Sequence, residues 1–215
     1  MLPREIYQPA SPAVAKVMGY PGGGRKGSGG TGSIIRSSGY VLTNAHVVVD
    51  EQTSRPYAWI LVFLKPVRVT GDSKSDLSRM VQAKVMAYSQ SLDLALLELD
   101  SAAEALPVID INESGRTRIG DRVVAIGHQE QGGLWTLTTG IISAKVDNFN
   151  GVKGTQVFQT ETGLNRGNSG GPLLDGEGRM GGVNTAIARV ASDGLLIASI
   201  SFSLKSSVAA QWLRD

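Results

Sequence analysis

Gly167-Asn168-Ser169-Gly170-Gly171-Pro172-Leu173-Leu174-Asp175-Gly176-Glu177-Gly178-Arg179-Met180-Gly181-Gly182-Val183-Asn184 reads as a tight glycine-rich turn, a short apolar strand over Pro172 to Leu174, a hairpin turn and a returning strand over Met180 to Asn184. Glycines within residues 175–178 reach the positive φ that such a turn requires. The same grammar repeats outward in both directions. Short apolar or alternating segments stand at Ser33 to Arg36, Tyr40 to Thr43, Trp59 to Leu64, Met80 to Tyr88, Leu94 to Leu99, Arg122 to Ile126, Leu134 to Val146, Val157 to Thr160 and Leu195 to Phe202, with a second hairpin turn at Asp193-Gly194. Strands broken by turn residues every 8 to 12 positions or so are the pattern of an all-β sandwich or barrel, and 27 glycines in 215 residues fit it.

The remaining stretches are placed around this β framework. One helix is expected at the C-terminus, where Ser203 would cap a segment whose Leu204, Val208 and Trp212 share one face. Pro21 to Gly32 reads as a mobile glycine-rich surface loop, since no Gly-Lys-Ser/Thr ending opens a phosphate-binding helix there. Lys65 to Arg79 reads as a second long polar loop, and Ser101 to Gly115 as the connection between two β halves.

Composition excludes several classes of function. A net charge of +2, with basic residues clustered only at Arg25-Lys26 and Arg116 to Arg118, gives no nucleic-acid footprint. No apolar run reaches the eighteen or so residues of a membrane span. Met1 to Pro12 mixes acid, base and three prolines without an apolar core, so no secretion signal is read there. With no cysteine, disulfides, thiolate zinc sites and cysteine nucleophiles are ruled out. An apolar content of 41% is ordinary for a chain that buries a core.

Chemistry concentrates at three places. Ser169 sits between glycines just ahead of an apolar strand. A serine hydroxyl becomes a nucleophile only when a base takes its proton, and the oxyanion that follows needs aimed backbone donors. Residues Gly167, Asn168 and Ser169 can form that oxyanion hole, the amides of Gly167 and Ser169 pointing into one small space. Gly39-Tyr40-Val41-Leu42-Thr43-Asn44-Ala45-His46-Val47-Val48 is an apolar strand ending in a turn that carries a histidine, a group able to accept and return a proton near neutral pH. Ser91-Leu92-Asp93-Leu94-Ala95-Leu96-Leu97 places an acid at the head of an apolar strand, where a carboxylate can fix the imidazole tautomer. Asp72, Asp110 and Asp121 stand in more polar surroundings and are weaker candidates. His128, the only other histidine, reads as a loop residue near the cleft. An Asp93, His128, Ser169 order would belong to an α/β scaffold that this strand-rich chain does not resemble.

Taken together, Gly30-Thr31-Gly32-Ser33-Ile34-Ile35, Gly39 to Val48, Asp93 to Leu97, Gly120 to Gly127, Thr138-Thr139-Gly140-Ile141-Ile142-Ser143, Gln159-Thr160, Gly167 to Leu173 and Val183-Asn184-Thr185-Ala186 resemble the HtrA (Deg) branch of the trypsin-like serine proteases, over most of the chain. The resemblance implies two antiparallel β-barrels of the chymotrypsin fold with a C-terminal helix: residues 1–110 forming the first barrel with His46 and Asp93, and residues 111–215 the second with Ser169. It implies a serine endopeptidase with the triad His46, Asp93 and Ser169, no cofactor and no metal. Gly163 and Leu164 would stand at the primary pocket, and Asn184, Thr185 and Ala186 on an edge that pairs with extended peptide. Because no acid waits at Gly163, cleavage after small or medium aliphatic residues is expected. The partners implied are peptide or unfolded protein, with trimers frequent among relatives, so a homo-oligomer is in keeping, as is a periplasmic, envelope or secreted setting. The chain departs from the group's habit at Arg166, where a proline is usual, at His128-Gln129, where Asn-Pro is common, and in stopping after the helix rather than continuing into a PDZ domain. Two other readings compete: a peptide-binding pseudoenzyme whose oxyanion loop is collapsed around Arg166, and a serine acyl hydrolase that does not cut proteins.

Overall fold

The structure is a computed structural model and describes residues 1–23, 26–101, 105–130, 132–185 and 200–215. It opens with helix α1 (Pro3–Ala10), then β1 (Val14–Tyr20), β2 (Ser28–Arg36) and β3 (Tyr40–Thr43). A single turn of helix α2 (Ala45–Val48) follows, with a small ribbon of β4 (Val49–Asp50) and β5 (Arg55–Pro56). Strand β6 (Trp59–Phe63), helix α3 (Ser73–Asp76), β7 (Met80–Ser89) and β8 (Leu94–Leu99) complete the first half. The second half holds β9 (Arg122–Gly127), β10 (Thr136–Val146), β11 (Val157–Thr160), β12 (Pro172–Leu174), β13 (Met180–Thr185), β14 (Ser201–Lys205) and helix α4 (Ser206–Arg214).

Two closed, antiparallel six-stranded barrels result, in the order β1-β2-β3-β8-β7-β6 and β10-β11-β14-β13-β12-β9. This is the all-β, two-barrel arrangement of the chymotrypsin fold. Closure removes exposed strand edges, and the alternating strands turn one face inward. Val41, Ala95 and Leu97, on one face of the first barrel's strands, are buried, as are Leu42 and Leu94 on the other, and Ala125, Ile142 and Leu173 are buried in the second. One apolar cluster, containing Ile6, Val14, Leu97, Val183 and Phe202, runs between the two halves.

Several expectations need correction. The stretch Pro21 to Gly32 is not one loop, because β2 begins at Ser28, and β1 ahead of it is a full barrel strand. Glycine is needed in β2 for close approach: a Cβ at Gly30 would lie 2.6 Å from Val47 Cγ2 and 2.7 Å from the Ser169 carbonyl oxygen. The C-terminal helix starts at Ser206, not Ser203. Ser203 and Leu204 belong to β14, paired with Asn184 and Val183, and the capping position is taken by Lys205 without a side-chain bond. Val208 and Trp212 do pack on the core. Nor is this the only helix. Helix α1 buries Ile6 and Ala10, and α3 interrupts the polar stretch Lys65 to Arg79. There, buried Asp76 gathers the Thr70 and Gly71 amides at 2.8 and 2.9 Å. The turn read at Asp193-Gly194 and residues 195–199 of the expected last strand lie outside the described residues.

The described part of the connection between the halves is tied to both. The Ile109 amide donates to the Ile34 carbonyl, the Asn112 amide to the Met180 carbonyl, and the Met180 amide to the Asp110 carbonyl.

Candidate active site

His46 sits in the turn of helix that follows β3, and Asp93 in the reversal between β7 and β8. Asp93 adopts φ +53°, a left-handed conformation that aspartate tolerates better than most side chains. It is held there by Asn44, fully buried, whose Nδ2 donates to the Asp93 carbonyl oxygen at 2.8 Å. The carboxylate then takes two bonds from one residue: Oδ1 from the His46 backbone N–H at 2.9 Å and Oδ2 from His46 Nδ1 at 2.7 Å. A carboxylate can only accept, so the proton lies on Nδ1 and the lone pair on Nε2. Burial alone would lower the His46 pKa, but the hydrogen bond and charge of Asp93, with Glu51 adding, carry it above the ordinary histidine value.

The serine turn is shaped by glycines at φ +95° (Gly167) and +86° (Gly170). Within it the Asn168 amide donates to the Asn165 carbonyl, the Gly171 amide to the Asn168 carbonyl, and the Gly170 amide to the Asn184 carbonyl at 2.8 Å. The Arg166 carbonyl accepts from the Glu130 amide at 2.7 Å. Because the peptide is planar and trans, this points the Gly167 N–H the opposite way, and that amide has no hydrogen-bond partner among the described residues. Asn168 is different from its neighbours. Its amide is engaged by the Asn165 carbonyl and its side chain is buried against Gly127.

Ser169 is 3% exposed and its carbonyl accepts from the Thr31 amide at 2.8 Å. Ser169, His46 and Gly167 line one cavity of about 570 Å³, together with Ser28, Gly29 and His128. Lys16, Glu130 and Arg166 stand in the same wall.

His128 is a loop residue at the cleft, as expected, and it is buried. It directly follows β9, 1% exposed, with its ring edge against Trp135. Burial, and the positive charge of Lys16, hold its pKa well below the ordinary value. Asp93 bonds His46 and not His128. The three weaker acids are occupied elsewhere: Asp72 receives the Ser75 amide, Asp121 the Arg118 amide, and Asp110 lies in the connection.

The residues expected at the substrate pocket separate. Leu164 packs partly buried on the second barrel, and its amide reaches Ser201 Oγ at 3.4 Å. Gly163 adjoins it in the segment after β11. Thr185 Oγ1 faces Asn44 Nδ2 at 3.4 Å, and Ala186 lies outside the described residues. Asn184 is turned inward: Nδ2 donates to the Pro172 carbonyl and Oδ1 accepts from Ser203 Oγ at 2.6 Å. Its backbone takes the Gly170 amide and donates to the Gly171 carbonyl, each at 2.8 Å. Asn184 therefore braces the serine turn through its backbone. Asn44, two residues before His46, and Thr31 were legible only as neighbours of the chemistry; their polar side chains beside glycine or alanine were the available signal.

The model of the trypsin-like peptidase domain family matches residues 30–183, from β2 to β13, and so takes in all three residues. The chain belongs to the trypsin-like peptidase family. Relatives of this trypsin-like peptidase chain include the putative serine protease HhoB of Synechocystis sp. (strain ATCC 27184 / PCC 6803 / Kazusa), 39% identical over 162 residues, with 74% of this chain and 34% of that protein covered. A probable periplasmic serine endoprotease DegP-like of Pseudomonas fulva (strain 12-X) is 34% identical over 209 residues, covering 96% of this chain and 38% of that one. Among solved structures, the HtrA-type protease AlgW with tripeptide superimposes with a TM-score of 0.79 at 30% identity, covering all of this chain and 63% of that one. The trypsin-like peptidase chain thus spans about a third of the length of the curated relatives it matches.

Proposed function

We propose that the chain is a serine endopeptidase in which Ser169 attacks the scissile carbonyl, His46 takes and returns the proton, and Asp93 orients His46. The observation that carries this is the pair of bonds from His46 to Asp93, at 2.7 and 2.9 Å, in a histidine that lines one cavity with Ser169. They leave Nε2 unprotonated, which is the state a general base needs. In the acylation step Ser169 Oγ bonds to the carbonyl carbon as its proton passes to Nε2, and the negative oxygen takes hydrogen bonds from the Gly167 and Ser169 amides. The imidazolium then protonates the leaving amine. Water repeats the sequence on the acyl-enzyme, using the same base.

For the substrate we infer an extended or unfolded polypeptide that runs along the end of β13 near Thr185 and presents a small or medium aliphatic residue near Gly163 and Leu164. The names of several relatives, which include the word periplasmic, support an envelope setting. A homo-oligomer is part of the reading, and a single-chain mass by light scattering would end that part.

The test is fluorophosphonate labelling followed by digestion of casein with wild type and Ser169→Ala. Stoichiometric labelling at Ser169 and a kcat about 10⁶ lower in the variant are expected. Labelling without proteolysis favours an acyl hydrolase, and no labelling a peptide-binding pseudoenzyme. A peptide library cut mainly after arginine would overturn the aliphatic preference.

A further inference from the structure

We propose that Thr31 and His128 form a clamp on the Gly167 carbonyl that holds the oxyanion hole in its working shape, which makes both of them positioning residues for the reaction read above and rests on that reading. The geometry begins with Thr31 Oγ1, which lies 2.6 Å from the Gly167 carbonyl oxygen and 3.0 Å from His128 Nδ1, and receives the His128 backbone N–H at 3.2 Å. The hydroxyl owns one proton, and a carbonyl oxygen can only accept. The proton therefore goes to Gly167, and His128 must donate from Nδ1. That leaves Nε2 as a bare acceptor, and it is indeed a buried nitrogen with no hydrogen-bond partner among the described residues. An unsatisfied buried acceptor is unfavourable, so the ring orients the Thr31 hydroxyl at some expense to stability.

The effect on the site follows from peptide planarity. The carbonyl of Arg166 is held by the Glu130 amide, and the carbonyl of Gly167 by Thr31. Both peptide planes that meet at Gly167 are thus pinned, and the direction of its N–H with them. Sterics act in the same sense. Gly167 passes so close to His128 that a Cβ there would lie 1.9 Å from the His128 carbonyl oxygen. Burial and the positive charge of Lys16 oppose protonation of the ring, which favours the neutral form that the clamp needs. In a loop with arginine at 166, where no proline ring restricts φ, the restraint comes from the far side of the turn.

The experiment uses the full chain and a peptide substrate, with rates expressed per fluorophosphonate-labelled site. Thr31→Val, which keeps the shape and removes the hydroxyl, should lower kcat about 10- to 100-fold, short of the 10²–10³ lost with an oxyanion donor itself, and leave KM within about threefold. Thr31→Ser should restore kcat to within about threefold. His128→Phe should lower kcat in the same direction, and in the Thr31→Val background it should add nothing, because the two act through one carbonyl. Should Thr31→Val fail to fold, His128→Phe and Thr31→Ser decide the matter. A kcat within twofold of wild type in the folded variants, with only the melting temperature lowered, would overturn the clamp. Wild type that neither labels at Ser169 nor cleaves peptide would instead remove the serine reading, and the clamp with it.

Discussion

Replacing Asp93 by asparagine tests the site through hydrogen-bond counting. The carboxylate accepts from two donors of His46, the backbone N–H at 2.9 Å and Nδ1 at 2.7 Å. An amide of the same shape has one oxygen and one NH₂. Whichever way it is turned, one donor of His46 meets another donor. The backbone N–H cannot move its proton, but the imidazole can, so the amide oxygen is expected to face the backbone and the NH₂ to face Nδ1. The ring then carries its proton on Nε2 and presents a donor to Ser169 where a base is needed. Loss of the productive tautomer, and of the charge that stabilises the imidazolium, lowers kcat by about 10⁴, as in the well-studied Ser-His-Asp triad, equivalent to about 5.5 kcal/mol of transition-state stabilisation. Folding should change little, since the amide keeps one bond and Asn44 still holds the backbone carbonyl. The assay is kcat and KM on a peptide ester and a peptide amide, with the melting temperature as control. A variant within tenfold of wild-type kcat on the amide, folded and with KM unchanged, would refute the role given to Asp93.

Other outcomes follow from the same geometry. Since Asp93 and Glu51 raise the His46 pKa, and only neutral His46 is a base, the acidic limb of the kcat/KM profile should lie above the ordinary histidine value. Glu51→Gln should move it to lower pH without changing the plateau, and a limb unmoved by this change would contradict the assigned cause. Gly167→Ala puts a methyl against the His128 carbonyl at φ +95°, and kcat should fall by about 10² or more while fluorophosphonate labelling slows in parallel. Asn184→Ala removes the bond to Pro172 and strands Ser203 Oγ, a loss of about 1–3 kcal/mol to be read by urea unfolding; unchanged stability would show that these side-chain bonds contribute nothing to the fold.

How much of this was legible in the sequence depends on what each residue type can signal. Short alternating segments bounded by turns announced the β class, because side-chain period and turn chemistry are local properties. Gly167 to Leu173 and the strand ends carrying His46 and Asp93 stood out because acyl transfer demands particular groups in particular backbone settings. Glycine misled at Gly29 to Gly32: it marks both mobile turns and strands approached closely by another backbone, and only the distances to Val47 and Ser169 separate the two. Ser203 misled likewise, since a serine before an apolar run suits a helix cap, whereas pairing with Asn184 across β13 and β14 is a long-range fact. The burial of His128 was equally invisible. Nothing beside it in the chain announces Trp135 or Thr31, 97 positions away.

The site depends on how the two barrels meet, because His46 and Asp93 come from one and Ser169 from the other. Strand β2 is the contact that sets their separation. Its Thr31 amide donates to the Ser169 carbonyl and its Thr31 hydroxyl to the Gly167 carbonyl, while Thr31's own carbonyl accepts from Thr43 Oγ1 at the end of the strand leading to His46. One residue therefore links the strand that leads to His46 with the turn that carries Ser169. Two flanking glycines, Gly30 and Gly32, keep that approach open, and Gly170 reciprocates: a Cβ there would lie 2.2 Å from Thr43 Oγ1 and 2.3 Å from the Thr31 carbonyl oxygen. Behind this contact, Trp135 Nε1 donates to the Val14 carbonyl and Tyr7 Oη to the Trp135 carbonyl, so α1 and β1 are fastened to the second barrel as well. A slip of one barrel against the other would have to break this set together, which is the physical reason that His46 and Ser169, 123 residues apart, can line one cavity.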